Sequence, residues 1–483
     1  MMSRHHTKEE LLSMLGQKDG EMTLQQKLHL TVILSLPAII AQLSSIIMQM
    51  IDAAMLGHLS TDEAAAVGLV STTIWLFGGM TSAFAAGFSV QVAHRVGAKD
   101  LQGARTVIRQ GILSGLVFSL ILMLIGLGIA PRLPHWLGAD DAIRADATAY
   151  FNIFSCGMPL IVLNSLAAGS LRCSGNVKVP SVLMVMMCTL DIVFNYIFIY
   201  ICGMGTVGAA YGTMVAYFIT MTSMVYYLIV KDKVLRFSHD KPESLLPVEY
   251  DGGTVRKALY PYLPTWRILK KAGIIGIPIS MERSMMCTAQ IAISSIIAPL
   301  GSIAIAANTF AINVESLCYM PGHGVADAAT TLVGQSKGAS RRDLMHSFAW
   351  ISMALGVGIM AFMGLVMWFF APEMMTLITP DADVIKLGTE ILRIEAWAEP
   401  GFAAAIVANA VFIGAGKTLV PSIMNLCSIW GVRVTLTSVF VYSMGLHGVW
   451  LAMAIELCVR GTIFTIRLCT KGWSTIKDRS NQQ

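Results

Sequence analysis

The sequence predicts an all-α polytopic membrane protein: twelve transmembrane helices in two six-helix lobes, related by a pseudo-two-fold axis along the membrane normal. Three observations predict it. Of 483 residues, 55 % are hydrophobic and only 13 % charged, about half the charge of a soluble domain. Apolar runs recur that exceed the ~20 residues needed to cross the hydrocarbon core, and mean hydropathy is +0.66. Thirdly, the prolines repeat at a fixed offset of 241: Pro37, Pro131, Pro159 and Pro180 recur as Pro278, Pro372, Pro400 and Pro421. Ala65-Ala66, Gly97-Ala98, Gly175 and Val179-Pro180-Ser181 keep that register with Ala306-Ala307, Gly338-Ala339, Gly416 and Val420-Pro421-Ser422. Near Met204-Gly205, answered by Met444-Gly445, the register slips by one. A doubled hydrophobic chain of this kind is a repeat architecture.

Residues 1–27 are polar, without the apolar core of a signal peptide. Within them Thr7-Lys-Glu-Glu10 has the spacing of a capping box and predicts a short surface helix. The first lobe, 28–230, holds spans at about 28–52, 62–88, 106–130, 145–171, 179–200 and 208–230. A polar connection follows at 231–271, with nine Lys/Arg, Pro242, Pro247, Asp251-Gly252-Gly253, Pro261 and Pro264; it reads as a cytoplasmic linker. Its basic charge would suit anionic lipid, but a positive-inside bias explains it equally. The second lobe, 272–466, holds spans at about 272–297, 303–335, 344–370, 387–413, 419–441 and 448–466, and 467–483 is a tail. Continuous rather than alternating apolarity excludes a β-barrel.

Six helices per copy is an even number, so both copies enter the membrane in the same direction and the repeats are parallel. With both termini cytoplasmic, the inner segments hold 27 of the 34 Lys+Arg and the outer segments three, Arg132, Arg144 and Lys386. That asymmetry sets the orientation. Nine cysteines without a C-x-x-C pair read as buried thiols, not as a metal or disulfide framework. The net charge of +5 resides in loops and implies no nucleic acid. No P-loop, H-E-x-x-H or G-x-S-x-G motif occurs, so neither ATP hydrolysis nor a hydrolase is indicated. No cofactor is expected.

Charges at bilayer depth need a partner or a task. In the first half Asp52, Asp191, Asn195 and Thr213 lie on three helices, roughly 8–17 Å below their outer ends. Asp191 and Asn195 are one turn apart and share a face. Two carboxylates, an amide and a hydroxyl suit Na⁺ or a shared proton. The plainer reading makes Asp52 a helix-end residue and the other two an interhelical hydrogen-bonding pair. In the second half Glu282, Arg283, Glu315, Glu395, Glu399, Arg433, Glu456 and Arg460 lie roughly 14–22 Å from their helix ends, with Asp327 as a further acid. That depth is where coupled transporters bind substrate. Mutual salt bridges, Glu456 with Arg460 above all, are the alternative. Trp75, Trp397 and Trp430 are candidates for cation–π contacts or simply for packing and anchoring.

Leu36-Pro37 with Asp52-Ala-Ala-Met-Leu-Gly57, Gly97-Ala98-Lys99-Asp100 and Leu171-Arg-Cys-Ser-Gly175 stand in the first half. Met320-Pro-Gly322, Leu332-Val-Gly-Gln335, Gly414-Ala-Gly-Lys417 and Gly448-Val-Trp450 stand in the second. In this order the chain resembles the MATE (multidrug and toxic compound extrusion) transporters, bacterial NorM/DinF-like, over about residues 28–470. The resemblance implies two lobes opening alternately to each side, with cation antiport driving efflux. It assigns Asp52, Asp191, Asn195 and Thr213 to the coupling cation, although the order of Asp191 and Asn195 is reversed relative to the family. Glu282 corresponds to an acid that some members carry on helix seven, here beside Arg283.

The expectation is therefore a proton- or sodium-coupled antiporter exporting amphipathic organic cations from the inner membrane, acting as a monomer. Asp52, Asp191, Asn195 and Thr213 would handle the ion; Glu282, Arg283, Glu315, Glu399, Arg433 and Glu456 would shape the substrate path. A flippase for a lipid-linked or anionic precursor is the alternative, favoured if Arg283, Arg433 and Arg460 face one cavity unpaired. A polytopic membrane enzyme or receptor-like module is more remote, there being no catalytic constellation.

Overall fold

Apolar sequence in lipid must satisfy its backbone internally, and this chain does so with helices throughout. The structure, a computed structural model, describes residues 7–15, 21–59, 61–237, 262–470 and 472–475. Most of the connection between the halves, including Pro242, Pro247, Asp251-Gly252-Gly253 and Pro261, lies outside the described residues, as does the end of the tail.

The Thr7 capping box forms: Glu10 Oε2 accepts from the Thr7 amide at 3.0 Å, and Thr7 Oγ1 from the Glu10 amide at 3.4 Å. It opens the short helix Lys8–Leu15. A second box, Thr23 with Gln26 at 2.9 and 3.3 Å, starts the first span at Leu24, four residues before the apolar run. Helices of the first half are α1 (Leu24–Gly57), α2 (Thr61–Gly97), α3 (Leu101–Ile129), α4a (Asp141–Cys156), α4b (Met158–Cys173), α5 (Lys178–Ile201) and α6 (Gly205–Lys231). Those of the second are α7 (Trp266–Ile297), α8 (Ser302–Gly338), α9 (Arg342–Thr376), α10a (Ala382–Ala396), α10b (Glu399–Gly414), α11 (Leu419–Met444) and α12 (Leu446–Cys469). Among the described residues, nine helices are long and apolar enough to cross a membrane, or eleven spans if each bent pair is one. The remaining long helix is α7, made less apolar by Glu282-Arg283 in its middle.

Two of the twelve spans differ from the sequence reading. The runs 145–171 and 387–413 are not continuous helices: each breaks, by 48° between α4a and α4b and by 58° between α10a and α10b. The breaks are 241 residues apart. Each is followed by a proline in the first turn of the next arm, Pro159 and Pro400, where its missing N–H costs no helical bond. Backbone frame repeats elsewhere too. Lys99 and Ser340 both sit at φ 59°, Gly175 and Gly416 at 98° and 67°, Gly205 and Gly445 at 55° and 57°. Pro131 and Pro372 differ: one follows the end of α3, the other lies inside α9.

Two compact units emerge, an N-unit of Ser44–Ser280 and a C-unit of Met1–Leu43 with Met281–Gln483. Their limits fall inside α1 and α7 rather than in the polar connection. Phe88, Val92, Ile108, Leu166 and Leu171 form one core of the N-unit, and Phe77, Phe151 and Met158 another. Within the C-unit, Val314, Met367, Ile391, Trp450 and Leu457 pack together. Small residues bring neighbouring helices close. A Cβ on Gly208 would meet the Phe198 carbonyl at 2.8 Å, and one on Gly212 the Asn195 amide nitrogen at 2.8 Å, so α6 lies directly on α5. Gly448 of α12 repeats this against Phe440 of α11 at 2.5 Å.

Candidate cation site and buried acid cluster

In the N-unit, helices α1, α5 and α6 bring Asp52, Asp191, Asn195 and Thr213 to one place. Asn195 stands between the acids and donates from Nδ2 to Asp52 Oδ1 at 2.9 Å and to Asp191 Oδ2 at 3.1 Å. Asp191 and Asn195 are 0 % and 1 % exposed, and Asp52 is half-buried. Thr213, next to the close-packing Gly212, faces the Asp191 carboxyl. Among the described residues, Asp191 Oδ1 and Asn195 Oδ1 are buried without a hydrogen-bond partner. Buried acceptors left unpartnered are costly, so this set is complementary to a proton or a small hard cation. Immediately beyond Asn195, α5 widens into a π-helical turn, Ile197–Ile201, a distortion common at functional sites.

Three neighbours of this site have no counterpart in the sequence reading. Tyr150 of α4a and Tyr217 of α6 lie within electrostatic reach of Asp191, Tyr150 also of Asp52. Cys188, one turn before Asp191, points its thiol at the Ser44 carbonyl, 3.2 Å away. Neither a tyrosine nor a cysteine on a membrane helix carries a signal that separates it from ordinary packing.

Within the C-unit, Glu282, Glu315, Glu395, Glu399, Arg433, Glu456 and Arg460 form one connected cluster. Arg460 Nε lies 3.1 Å from Glu456 Oε1, the pairing that their spacing suggested. Glu456 Oε1 also accepts from Ser428 Oγ at 2.6 Å. Glu282 Oε1 accepts from Asn425 Nδ2 at 2.8 Å, a partner that spacing along α7 could not reveal. Arg433 lies within electrostatic reach of Glu315, Glu395 and Arg460. All four carboxyl oxygens of Glu395 and Glu399 are buried without a hydrogen bond among the described residues. Five acids thus share two guanidiniums, and charge balance at depth calls for protons or a bound cation.

Two candidates stand apart. Arg283 is exposed and makes no hydrogen bond or ion pair among the described residues. Asp327 accepts from Gln42 Nε2 at 3.3 Å, on the α1 segment of the same unit. Of the tryptophans, Trp75 and Trp397 are exposed, and Trp430 donates to the Met285 carbonyl at 3.3 Å.

The MatE family model matches this chain twice, at residues 37–197 and 278–439. The two matches begin at the repeated prolines Pro37 and Pro278. A probable multidrug resistance protein NorM from Thermotoga maritima is 24 % identical over 452 residues, covering 91 % of this chain and 92 % of that protein. One of the same name from Chromobacterium violaceum is 26 % identical, covering 90 % and 92 %. Among solved structures, an outward-facing multidrug resistance MATE family transporter of the MOP superfamily superposes with a TM-score of 0.84 at 23 % identity, over 96 % of this chain and 99 % of that one. A MOP superfamily transporter from Pyrococcus furiosus also gives 0.84, at 23 % identity, over 96 % and 98 %.

The doubled family match and its relatives make this a multi-pass membrane transporter rather than an enzyme. This chain belongs to the MatE family, whose relatives are multidrug efflux transporters.

Proposed function

We propose that this chain is a proton- or sodium-coupled antiporter that exports amphipathic organic cations by alternating access. It would work as a monomer in the inner membrane, with both termini cytoplasmic. The observation that carries the coupling assignment is Asn195, whose amide bridges Asp52 and Asp191 while leaving buried acceptor oxygens beside them. A cation or proton arriving there removes the repulsion between two acids; its departure restores it. The work available to transport is limited to the difference in ion affinity between the two access states.

The acid cluster of the C-unit would receive the positive charge of the exported compound. Acids outnumber guanidiniums there, and Arg460 is neutralised by Glu456. A flippase for an anionic precursor would need Arg283, Arg433 and Arg460 presented together and unpaired; Arg460 pairs with Glu456 and Arg433 is set among acids, leaving Arg283 alone, which favours the cation exporter.

The test is gradient-driven export in everted membrane vesicles, with pH and sodium gradients imposed separately. Asp52→Asn and Asp191→Asn are each expected to lower coupled export at least about tenfold, since each removes a charge-assisted contact to the ion. Wild-type rates in both variants would remove these residues from the coupling role.

A further inference from the structure

One cation belongs to neither site and stands against the charge bias of the chain. Outer segments carry few Lys or Arg, yet Arg393 lies in α10a, roughly 17 Å below the outer end of that helix in the orientation proposed above. Its side chain is exposed, and no acid pairs with it among the described residues. A cation at such depth needs a partner or a task.

Trp368 of α9 holds it in place. The guanidinium carbon stands 5.5 Å from the centre of the Trp368 ring, and Nε donates to the Trp368 carbonyl at 3.3 Å. The fork is thereby laid on an indole face, and neither of its amino groups is engaged among the described residues. Trp368 lies nine residues beyond the middle of α9, roughly 14 Å along its axis, close to the ~15 Å half-thickness of a hydrocarbon core. Phe369, edge-on to Trp368 at 5.0 Å, is exposed, as are Phe370 and, one turn deeper on α10a, Trp397. An exposed aromatic surface at that level is where a helix bundle meets lipid headgroups. One turn outward on the same face of α10a stands Glu390. Its Oε2 lies 2.8 Å from His447 Nε2 of α12, and its other carboxylate oxygen is unengaged among the described residues. All of these residues belong to the C-unit.

From the guanidinium of Arg393 fixed on Trp368, with the Glu390 carboxylate one turn outward, we propose a binding site for the headgroup of phosphatidylethanolamine. The two charges are three residues apart, roughly 4.5 Å along the axis, with the cation the deeper. That order complements this lipid, whose phosphate lies deeper than the ammonium at its tip. The phosphate oxygens take the two free amino groups of the fork, and the ammonium takes the free oxygen of Glu390. Phosphatidylglycerol offers the same phosphate but no ammonium, so it leaves the carboxylate facing an anion. The site does not depend on the export reading.

The test titrates phospholipid adducts of the purified full-length chain by native mass spectrometry, with phosphatidylethanolamine and phosphatidylglycerol of identical acyl chains. The wild type is expected to take its first phosphatidylethanolamine more tightly than phosphatidylglycerol. Arg393→Ala should weaken that first phosphatidylethanolamine about tenfold. Glu390→Gln should leave phosphatidylglycerol binding unchanged and remove the preference for phosphatidylethanolamine. An unaltered thermal midpoint without added lipid shows that each variant is folded. Should Arg393→Ala fail that check, Arg393→Lys decides in its place: it keeps the charge without the fork and should weaken phosphatidylethanolamine about threefold. Wild-type affinity for phosphatidylethanolamine in the deciding arginine variant overturns the site. So does a wild type that takes both lipids equally, or a preference that survives Glu390→Gln.

Discussion

Asn195 organises the candidate cation site because a backbone contact holds it there. Gly212 of α6 lies against the Asn195 main chain, and a methyl group at 212 would meet its amide nitrogen at 2.8 Å. Backbone cannot swing aside as a flexible side chain can, so Gly212→Ala must push α5 from α6 and carry Asn195 off its two acids. A destabilisation of about 1–3 kcal/mol is expected, with at least about a tenfold rise in the ion concentration for half-maximal export. Gly128→Ala is the matched control, having open space around it, and should change neither. Equal ion dependence in both variants would dismiss the steric argument. The acids of this site were legible in the sequence, because ionised groups are too costly at depth to be placed idly. Asn425, Tyr150 and Tyr217 were not: amides and phenols occur on membrane helices for packing alone, and which helices meet is not written in one helix's spacing.

Single elements show where hydropathy stops being a guide. It registers how apolar a stretch is but not whether its backbone continues, so the breaks at Gly157 and after Trp397 passed as uninterrupted spans. The repeated prolines marked both places. Hydropathy also ends where water begins, while the helices run on. That is why α2, α8 and α9 exceed their apolar runs by several residues. Helix ends show a further device. After α12 the chain turns back and buries Trp473 and Ser474, which are 1 % and 0 % exposed. Trp473 stacks edge-on with His346 at 4.9 Å and approaches Phe412 at 6.0 Å. Arg342 Nε donates to Ser474 Oγ at 3.0 Å. The first half does the same with other residues: Arg105 binds the Val234 carbonyl at 3.0 Å, and Arg109 lies 4.4 Å over Phe237. Trp473→Ala should cost about 3–5 kcal/mol, as for other buried aromatic truncations. Thermal unfolding in detergent should register it as a lowered midpoint, whereas Trp397→Ala, at a 73 % exposed position, should not. Equal midpoints would make the tuck a passive end of the chain.

For the whole molecule, the duplication and the packing divide the chain at different places. The sequence repeats as residues 37–197 and 278–439, yet the first segment of α1 belongs with the second repeat and that of α7 with the first. Gly324 of α8 receives Ile39 so closely that a Cβ would meet its Cα at 2.6 Å, and Lys27 donates to Ser347 Oγ at 3.0 Å. On the other side, a Cβ on Gly276 would meet the Ala83 carbonyl at 2.9 Å. Gln110 Oε1 accepts from both the Thr265 amide and its hydroxyl at 3.0 Å. Each half of the chain therefore lends a helical segment to complete the other's core. Fragments 1–250 and 251–483 should accordingly behave differently from two self-sufficient repeats. Expressed alone, 251–483 lacks the residues that fill the groove at Gly324 and should aggregate on extraction. The fragment 1–250 lacks the first turns of α7 and should do the same. Expressed together they should co-purify and elute as one monodisperse species in fluorescence-detected size exclusion, and recover export, because what each lacks is supplied by the other. A monodisperse, heat-resistant 251–483 on its own would mean that the exchanged segments are dispensable to the C-unit and that the repeat, not the packed unit, is what folds.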